Sequence, residues 1–463
     1  MKDKVLIANR GEIALRIMEA CERLKLDYVA VYTREDEESL HVRLAKKKYR
    51  ISDYRDMNDL LAVADEEKCT ALHPGYGFLS ENYRFARRVV KRERPLIWIG
   101  PSWEAIRDLG NKLYMKKVAH DLGIPVIPGT IEPIYNEIEA ELKAEELLEE
   151  AKAEGFQEIS FLVKAVAGGG GMGIEEVKSL EEIRPVFRKI RAYAKRLFGE
   201  EGIIIEIKIP VIQHLEVQIL GSQRGEYVHF GTRNCTIQSP FKQKRIELAP
   251  GFCKHFTYGF DPFQAEREIL QHSLRLAEHF NYDSVGTFEW LITPEGKYYL
   301  MEVNTRIQVE NEVSAKIAFI GDKQVNLICE QIRVALGEKL GYDQGNVNFK
   351  GMSLEFRLVA EDTKRGFVPL SGTIQCFSYR EHPWLTMRTH VPQDRPYTIP
   401  TQFDPNLALA IIYAEDLPEL LKRAELFLEE IKIEGQTHKG EPLLSNVEFL
   451  KENLKYIYQF LKA

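Results

Sequence analysis

Val5-Leu6-Ile7-Ala8 is an apolar run that stops at Asn9-Arg10-Gly11, and Ile13, Ile17, Ala20 and Leu24 then recur at helical spacing. Tyr28-Val29-Ala30-Val31-Tyr32 is apolar again. Strand, helix, strand in that order predicts a parallel sheet with crossover helices. A further strand is expected before His73-Pro74-Gly75, and Leu96-Ile97-Trp98-Ile99 closes a first domain at about residue 113. Residues 136–153, dense in Glu, Ala, Leu and Lys, predict a solvated helix. Phe161-Leu162-Val163-Lys164 reads as a strand entering a glycine run, Ile174-Glu175-Glu176-Val177 as its return, and Ile203-Ile204-Ile205-Glu206 as another strand. Residues 214–310 alternate strands with one helical stretch near 262–280. After about 335 the pattern becomes mixed, with a strand at 351–357 and a charged amphipathic helix over 416–432. The fold class is therefore α/β and α+β: a doubly wound parallel-sheet domain over 1–113, a second domain over 114–335 and a mixed domain over 336–463.

Composition changes this picture little. The 463 residues are 44% hydrophobic and 29% charged, which suits a chain with large cores. A formal charge of −7 argues against nucleic acid as a main partner. No stretch approaches the length that crosses a bilayer, and the start has no apolar segment of signal-peptide length. The six cysteines form no Cys-x-x-Cys. Together these give the expectation of a reduced, cytoplasmic protein with no membrane partner. His41, His120, His229 and His255 lack metal-ligand spacing and are expected to be structural or surface residues.

Two stretches carry candidate chemistry. Gly168, Gly170 and Gly173 formally make G-x-G-x-x-G, but the returning strand after them argues against a dinucleotide fingerprint, and no P-loop occurs. A glycine hairpin serves instead as a flap whose backbone N–H groups approach phosphates closely, and Lys164 ahead of it favours phosphate. The second stretch is Gly286-Thr287-Phe288-Glu289-Trp290, followed after a turn by Leu300-Met301-Glu302-Val303-Asn304-Thr305-Arg306-Ile307-Gln308-Val309-Glu310. Read as strands, these put Glu302, Asn304, Arg306, Gln308 and Glu310 on one face. Glu289, Glu302 and Asn304 are oxygen donors of the kind Mg²⁺ prefers.

These strings resemble the biotin carboxylases, the ATP-grasp subunits of biotin-dependent carboxylases. The likeness rests on Val5 to Ala14, on His73-Pro74-Gly75-Tyr76-Gly77-Phe78-Leu79-Ser80-Glu81-Asn82, on the Lys164 glycine loop and on Glu302 to Glu310, and runs in order along nearly the whole chain. It implies an ATP-grasp fold for the middle domain, with a mobile lid at about 135–208, and an ATP-dependent ligase. Lys112 and Lys164 would hold ATP phosphates, with Gly170 and Gly171 in the lid loop. Glu206, Ile209, His214, Leu291 and Met301 would surround adenine and ribose. Glu289, Glu302 and Asn304 would bind Mg²⁺ or Mn²⁺. Lys244, Arg306, Gln308 and Val309 would hold bicarbonate, Glu310 would deprotonate it, and Arg357 would stabilise the biotin enolate, with Tyr76 beside biotin.

The chain departs from the family pattern in places. Met172 stands for an Arg, Asn311 for a His after Glu310, and Asp404-Pro405-Asn406 and Leu409 for a usual Asp-Ser-Met and Lys. The run Gln238-Ser239-Pro240-Phe241-Lys242-Gln243-Lys244 is one residue longer than usual, with Lys242 at a His position. Lys242, Lys244 and Arg245 keep that loop positive, so a phosphate clamp in shifted register is expected. Three functions stay open on these residues: carboxylation of biotin on a separate carrier through carboxyphosphate, carboxylation of a different acceptor, or a weakened nucleotide-binding scaffold. The resemblance implies ATP as cofactor, a biotin carboxyl carrier protein and a carboxyltransferase as partners, and a homodimer.

Overall fold

In the fold's first sheet, five strands run parallel in the order Lys48–Arg50, Asp27–Tyr32, Lys4–Ile7, Ala71–His73, Ile97–Trp98. The structure is a computed structural model, and it describes residues 3–156, 159–166, 173–240 and 243–460. Crossover helices Gly11–Arg23, Met57–Glu66 and Tyr83–Lys91 alternate with these strands. Strand order reverses beside Lys4–Ile7, so a crevice opens at the carboxyl ends of Lys4–Ile7 and Ala71–His73. Asn9 ties the two loops there, donating to the carbonyls of Pro74 at 2.6 Å and Tyr76 at 2.7 Å. Gly75 has a φ of 62°, and a Cβ there would stand 2.7 Å from Asn9 Nδ2, so both the turn and the approach require glycine.

The chain divides into two compact units. The first holds residues 1–110, 214–289 and 303–463. Besides the parallel sheet it contains an antiparallel run of strands: Gln213–Gly221, Tyr227–Gln238, Lys244–Ala249, Met352–Val359, Asn406–Ala414 and Leu385–Thr389, each paired with the next named. One apolar cluster joins Val5, Ile7 and Ile17 of the N-terminal region to Leu220, Phe230, Ile307, Ile332 and Val347. A second gathers Ile246, Leu354, Phe356 and Ile412 under helix Leu417–Glu430.

The second unit holds residues 111–213 and 290–302. Strands Ile174–Val177, Phe161–Ala165 and Ile203–Ile207 form an antiparallel sheet, the middle one being Phe161–Ala165. The strands on either side of the glycine run are thus antiparallel partners, and residues 167–172 fall outside the described residues. Helix Glu137–Ala153 is less solvated than its composition suggests. Ala140, Ala144, Leu147 and Ala151 form one buried stripe against this sheet, because a face of small residues permits close approach. Asn136 starts the helix, its side chain accepting from the N–H groups of Ile138 and Glu139.

The sequence pattern overreaches at one point. The strand expected from Leu300 to Glu310 is Tyr298–Asn304 only. A loop follows, and Glu310 stands at the N-terminal end of helix Asn311–Ile317 with φ −82° and ψ 7°. Arg306, Gln308 and Glu310 therefore owe their placement to a loop, not to the face of a strand.

Candidate active site

In the first unit the antiparallel strands converge on a buried set of opposite charges. His214, Glu216 and Gln218 alternate along strand Gln213–Gly221 with the buried apolar residues Leu215, Val217 and Ile219. Arg233 is the cross-strand partner of Glu216. Its guanidinium is fully buried and donates to Glu216 at 2.7 Å, Gln218 at 2.9 Å, Ser314 at 2.9 Å and Gln308 at 2.8 Å. That set of partners meets the heavy cost of burying a charge.

Lys244 stands at the head of its strand and carries the centre. Its ammonium contacts Glu216 and lies 3.2 Å from Glu289 and 3.0 Å from Glu310. Burial alone would lower its pKa, but Glu289, Glu310 and Glu247 outweigh burial and hold the lysine protonated above its ordinary range. Glu310 is gripped from both sides, Oε1 by Lys244 and Oε2 by Arg357 at 3.0 Å. Burial pushes the Glu310 carboxyl up; the charges of Lys244, Arg357 and Arg233 prevail and hold it well below the usual carboxylate range. Glu289 behaves alike: burial raises it, while Lys244 and His214, whose Nε2 is 2.7 Å away, bring it far down.

The loop after Asn304 is fixed by its own polar groups. Asn304 donates to Glu289 at 2.6 Å. Gln308 donates to Glu216 at 3.2 Å and to Glu289 at 3.3 Å. Arg306 lies between Glu81 at 3.1 Å and Asn304 at 3.2 Å. Asn311 donates to the carbonyl of Gln308 at 2.6 Å and accepts from Arg16 at 2.8 Å, and Arg16 also reaches the carbonyl of Val309 at 3.3 Å. Asn311 thus ties the loop that leads to Glu310 to helix Gly11–Arg23. Tyr76, at the crevice of the parallel sheet, donates to Glu12 and is half-buried.

In the second unit Glu206 on strand Ile203–Ile207 accepts from Lys116 at 2.7 Å and from Lys164 at 2.5 Å. Burial raises this carboxyl, but the two ammonium groups bring it below the ordinary range. Ile209 is buried with Leu291 packed beside its cluster, and Met301 is half-buried. Lys112 and Glu302 face one another at 2.5 Å. Gly170 and Gly171 of the expected lid, with Met172 and Lys242, lie outside the described residues.

Sequence reasoning missed Glu216, Arg233, Glu247 and Lys116. The alternation His214-x-Glu216-x-Gln218 is a polar stripe within an apolar strand and signals Glu216. Lys116 lies one helical turn after Lys112. One expectation is corrected. Arg245 is no part of an anion clamp: it is 2% exposed and bound bidentately by Glu361 at 2.8 and 2.6 Å, with Gln243 on its other side at 2.9 Å.

The match of residues 111–342 to an ATP-binding domain and the likeness to ADP-bound relatives place the chain among the ATP-dependent ligases of the ATP-grasp type. Residues 1–106 match the biotin carboxylase N-terminal domain, 111–342 the ATP-binding domain of the carbamoyl-phosphate synthase L chain, and 355–455 the biotin carboxylase C-terminal domain. The chain is 36% identical over 461 residues to a biotin carboxylase of Nostoc sp., covering 98% of this chain and 97% of that one. It is 34% identical to the 2-oxoglutarate carboxylase small subunit of Hydrogenobacter thermophilus, covering 96% and 90%. The biotin carboxylase domain dimer of that organism's 2-oxoglutarate carboxylase, solved with MgADP, ADP and bicarbonate, superposes with a TM-score of 0.84 at 33% identity, covering 98% of this chain and 94% of that one. The Campylobacter jejuni biotin carboxylase gives 0.85 at 28%, covering 98% and 95%. The chain belongs to the biotin carboxylase family. Among the described residues no helix is long and apolar enough to cross a membrane.

Proposed function

We propose that this chain carries out the first half-reaction of a biotin-dependent carboxylase, using ATP and bicarbonate to carboxylate biotin on a separate carrier protein. The observation that carries the proposal is Glu310 held ionised and buried between Lys244 and Arg357. As it stands, the carboxylate is a weak base, because both cations favour its charged form. A bound bicarbonate would compete for Lys244, with Arg306, Gln308 and the Val309 backbone completing its hold. Drawing the cations onto the substrate raises the affinity of Glu310 for a proton at the moment the proton must leave bicarbonate. Arg357, freed from Glu310, is then available for the enolate oxygen of biotin, with Tyr76 beside the ring.

Phosphoryl transfer is mostly positioning and charge neutralisation. Lys112 and Lys164 are assigned to ATP phosphates, with Gly170 and Gly171 over them. Glu206, Ile209, His214, Leu291 and Met301 are assigned to the nucleoside. Glu289, Asn304 and Glu302 are the donors assigned to Mg²⁺ or Mn²⁺, and an all-oxygen set with buried charge fits such a hard cation. When bound, the cation neutralises charge on the transferring phosphoryl group. Closing the lid keeps water from carboxyphosphate. These roles divide among an N-terminal domain over 1–113, an ATP-grasp domain over 114–335 and a C-terminal domain over 336–463. A carrier protein, a carboxyltransferase subunit, pairing of two copies and a cytoplasmic location complete the proposal.

The test is ADP release from the purified chain with Mg-ATP, omitting bicarbonate and free biotin in turn. Turnover that needs bicarbonate and rises with biotin is expected. Turnover that needs bicarbonate and ignores both free biotin and a biotinylated carrier would assign the enzyme to another acceptor. Nucleotide binding without turnover would make it a scaffold.

A further inference from the structure

Behind the base lies a pair of carboxyls that the half-reaction above does not use. Glu247 on strand Lys244–Ala249 and Glu355 on strand Met352–Val359 are partners directly across the antiparallel ladder. They are 2% and 1% exposed. Neither oxygen of Glu247 has a hydrogen-bond partner, nor does Oε2 of Glu355. Like charges directly opposite destabilise a sheet, and a buried carboxylate without hydrogen bonds takes up a proton rather than remain charged. Oxygens of Glu216, Glu247 and Glu310 all lie within 4.8 Å of one another, so Glu247 looks onto the base.

The charges around Glu247 come from four sides. Arg233, on strand Tyr227–Gln238, has its Nε 3.5 Å from Glu247 but binds Glu216 more closely at 2.7 Å, and Cys235 on the same strand is held as a thiol by burial. Lys244, on Glu247's own strand, is engaged by Glu216, Glu289 and Glu310. Arg357, beyond Glu355, is engaged by Glu310. Every neighbouring cation is therefore committed chiefly to another carboxylate. Burial, then the charge of Glu310, push the Glu247 carboxyl up, and Glu355 is raised to about 8, chiefly by burial. Lys244 and Arg233 fill the space between these acids, so the trio is no cation site.

We infer that Glu247 works as a neutral carboxylic acid, a positioning residue whose O–H donates to Glu310 directly or through one water. Each carboxylate oxygen has two lone pairs, and Lys244 and Arg357 take one each, so Glu310 has room for a third donor. When bicarbonate draws Lys244 away and Arg357 turns to biotin, the neutral acid is the donor that still fixes the orientation of the base. The inference rests on the proposed half-reaction and on Glu310 as its base.

Two readouts test it on the full chain. The first is the difference infrared spectrum between wild type and Glu247→Gln at neutral pH, in which the carbonyl band of a neutral carboxylic acid is expected to disappear. Its absence from the wild type would overturn the inference, whether or not the enzyme turns over. The second is the pH profile of bicarbonate-dependent ADP release with biotin. Glu247→Ala is expected to lower kcat about 10²-fold with little change in the KM for ATP, the cost of a misplaced reacting group. Glu247→Gln, neutral and of the same shape, is expected to restore most of that loss and to extend activity to higher pH, because it cannot ionise. A Glu247→Gln enzyme as poor as Glu247→Ala, or with an unmoved alkaline limb, would overturn the inference. If Glu247→Ala fails to fold, the glutamine profile and the infrared band still decide. An inactive wild type would instead remove the proposed half-reaction and leave the infrared result standing on its own.

Discussion

Two carboxylates of neighbouring number divide the work near helix Asn311–Ile317. Glu310 faces Lys244 and Arg357, whereas Glu312 is bound by Arg388 at 2.6 Å and lies 3.6 Å from Arg16. Replacing Glu310 by Gln keeps the shape and removes the proposed base, so kcat is expected to fall about 10²–10⁴-fold in ADP-release assays, with ATP binding retained in calorimetry. Glu312 is structural by contrast. Burial raises its carboxyl, but Arg16 and Arg388 bring it to about 2, against an ordinary 4.5. A depressed folded-state pKa gives stability that is complete above the unfolded value and is lost as pH falls from about 4.5 towards about 2. Glu312→Gln is therefore expected to lower Tm at pH 7, by roughly 3 kcal/mol of stability. That difference should shrink as both proteins are melted at successively lower pH; a gap undiminished at pH 2 would contradict the assignment.

At the scale of elements, backbone contacts set the side chains. The strand carrying Glu206 runs against Gly129, and a Cβ at Gly129 would stand 2.6 Å from the Ile205 carbonyl oxygen and 2.8 Å from Glu206 Cα. Gly129→Ala is expected to shift that strand and Glu206 with it, raising the KM for ATP while leaving the KM for bicarbonate near wild type. The Arg245–Glu361 pair joins strand Lys244–Ala249 to the chain just after Met352–Val359. Breaking one partner of a buried pair costs about 3–5 kcal/mol, while replacing both with apolar groups is often neutral. Arg245→Met should thus lower Tm sharply and the Arg245→Met/Glu361→Met double variant should recover it, both with unaltered KM for ATP. A raised KM in the double variant would return Arg245 to the phosphate clamp. Elements with a clear period were legible from sequence: the parallel strands Lys4–Ile7, Asp27–Tyr32 and Ala71–His73, helix Pro262–His279 and the returning strand Ile174–Val177. The stretch 305–310 was not, because polar residues at every second position look alike in a strand and in a loop braced by side-chain hydrogen bonds. Lys244 and Arg306 were legible through local strings, whereas Arg233 and Glu247 gain their meaning only from cross-strand register, which a linear pattern does not carry.

For the whole molecule, the units do not follow the chain in order. The first unit is assembled from three separate stretches, and one of its apolar clusters joins residues 5–30 to residues beyond 300. Residues 1–110 expressed alone are therefore expected to lack fixed packing, because Ile7, Ile17 and Cys21 would lose the partners Ile307, Ile328 and Ile332. Sparse amide dispersion in NMR and binding of a hydrophobic dye would bear this out; a well-dispersed, cooperatively melting fragment would refute it.

The cluster that unites Val5 with Val347 also sets a clock. A ribosome adding about 5–20 residues per second delivers the later partner roughly 20–70 s after the earlier one. Through that interval the apolar face of the first helix lacks its partners from beyond residue 300, such as Ile307, Ile328 and Ile332. Substitutions along that face should consequently show themselves as yield of folded enzyme and dependence on chaperones, before any loss appears in the melting temperature of the molecules that succeed.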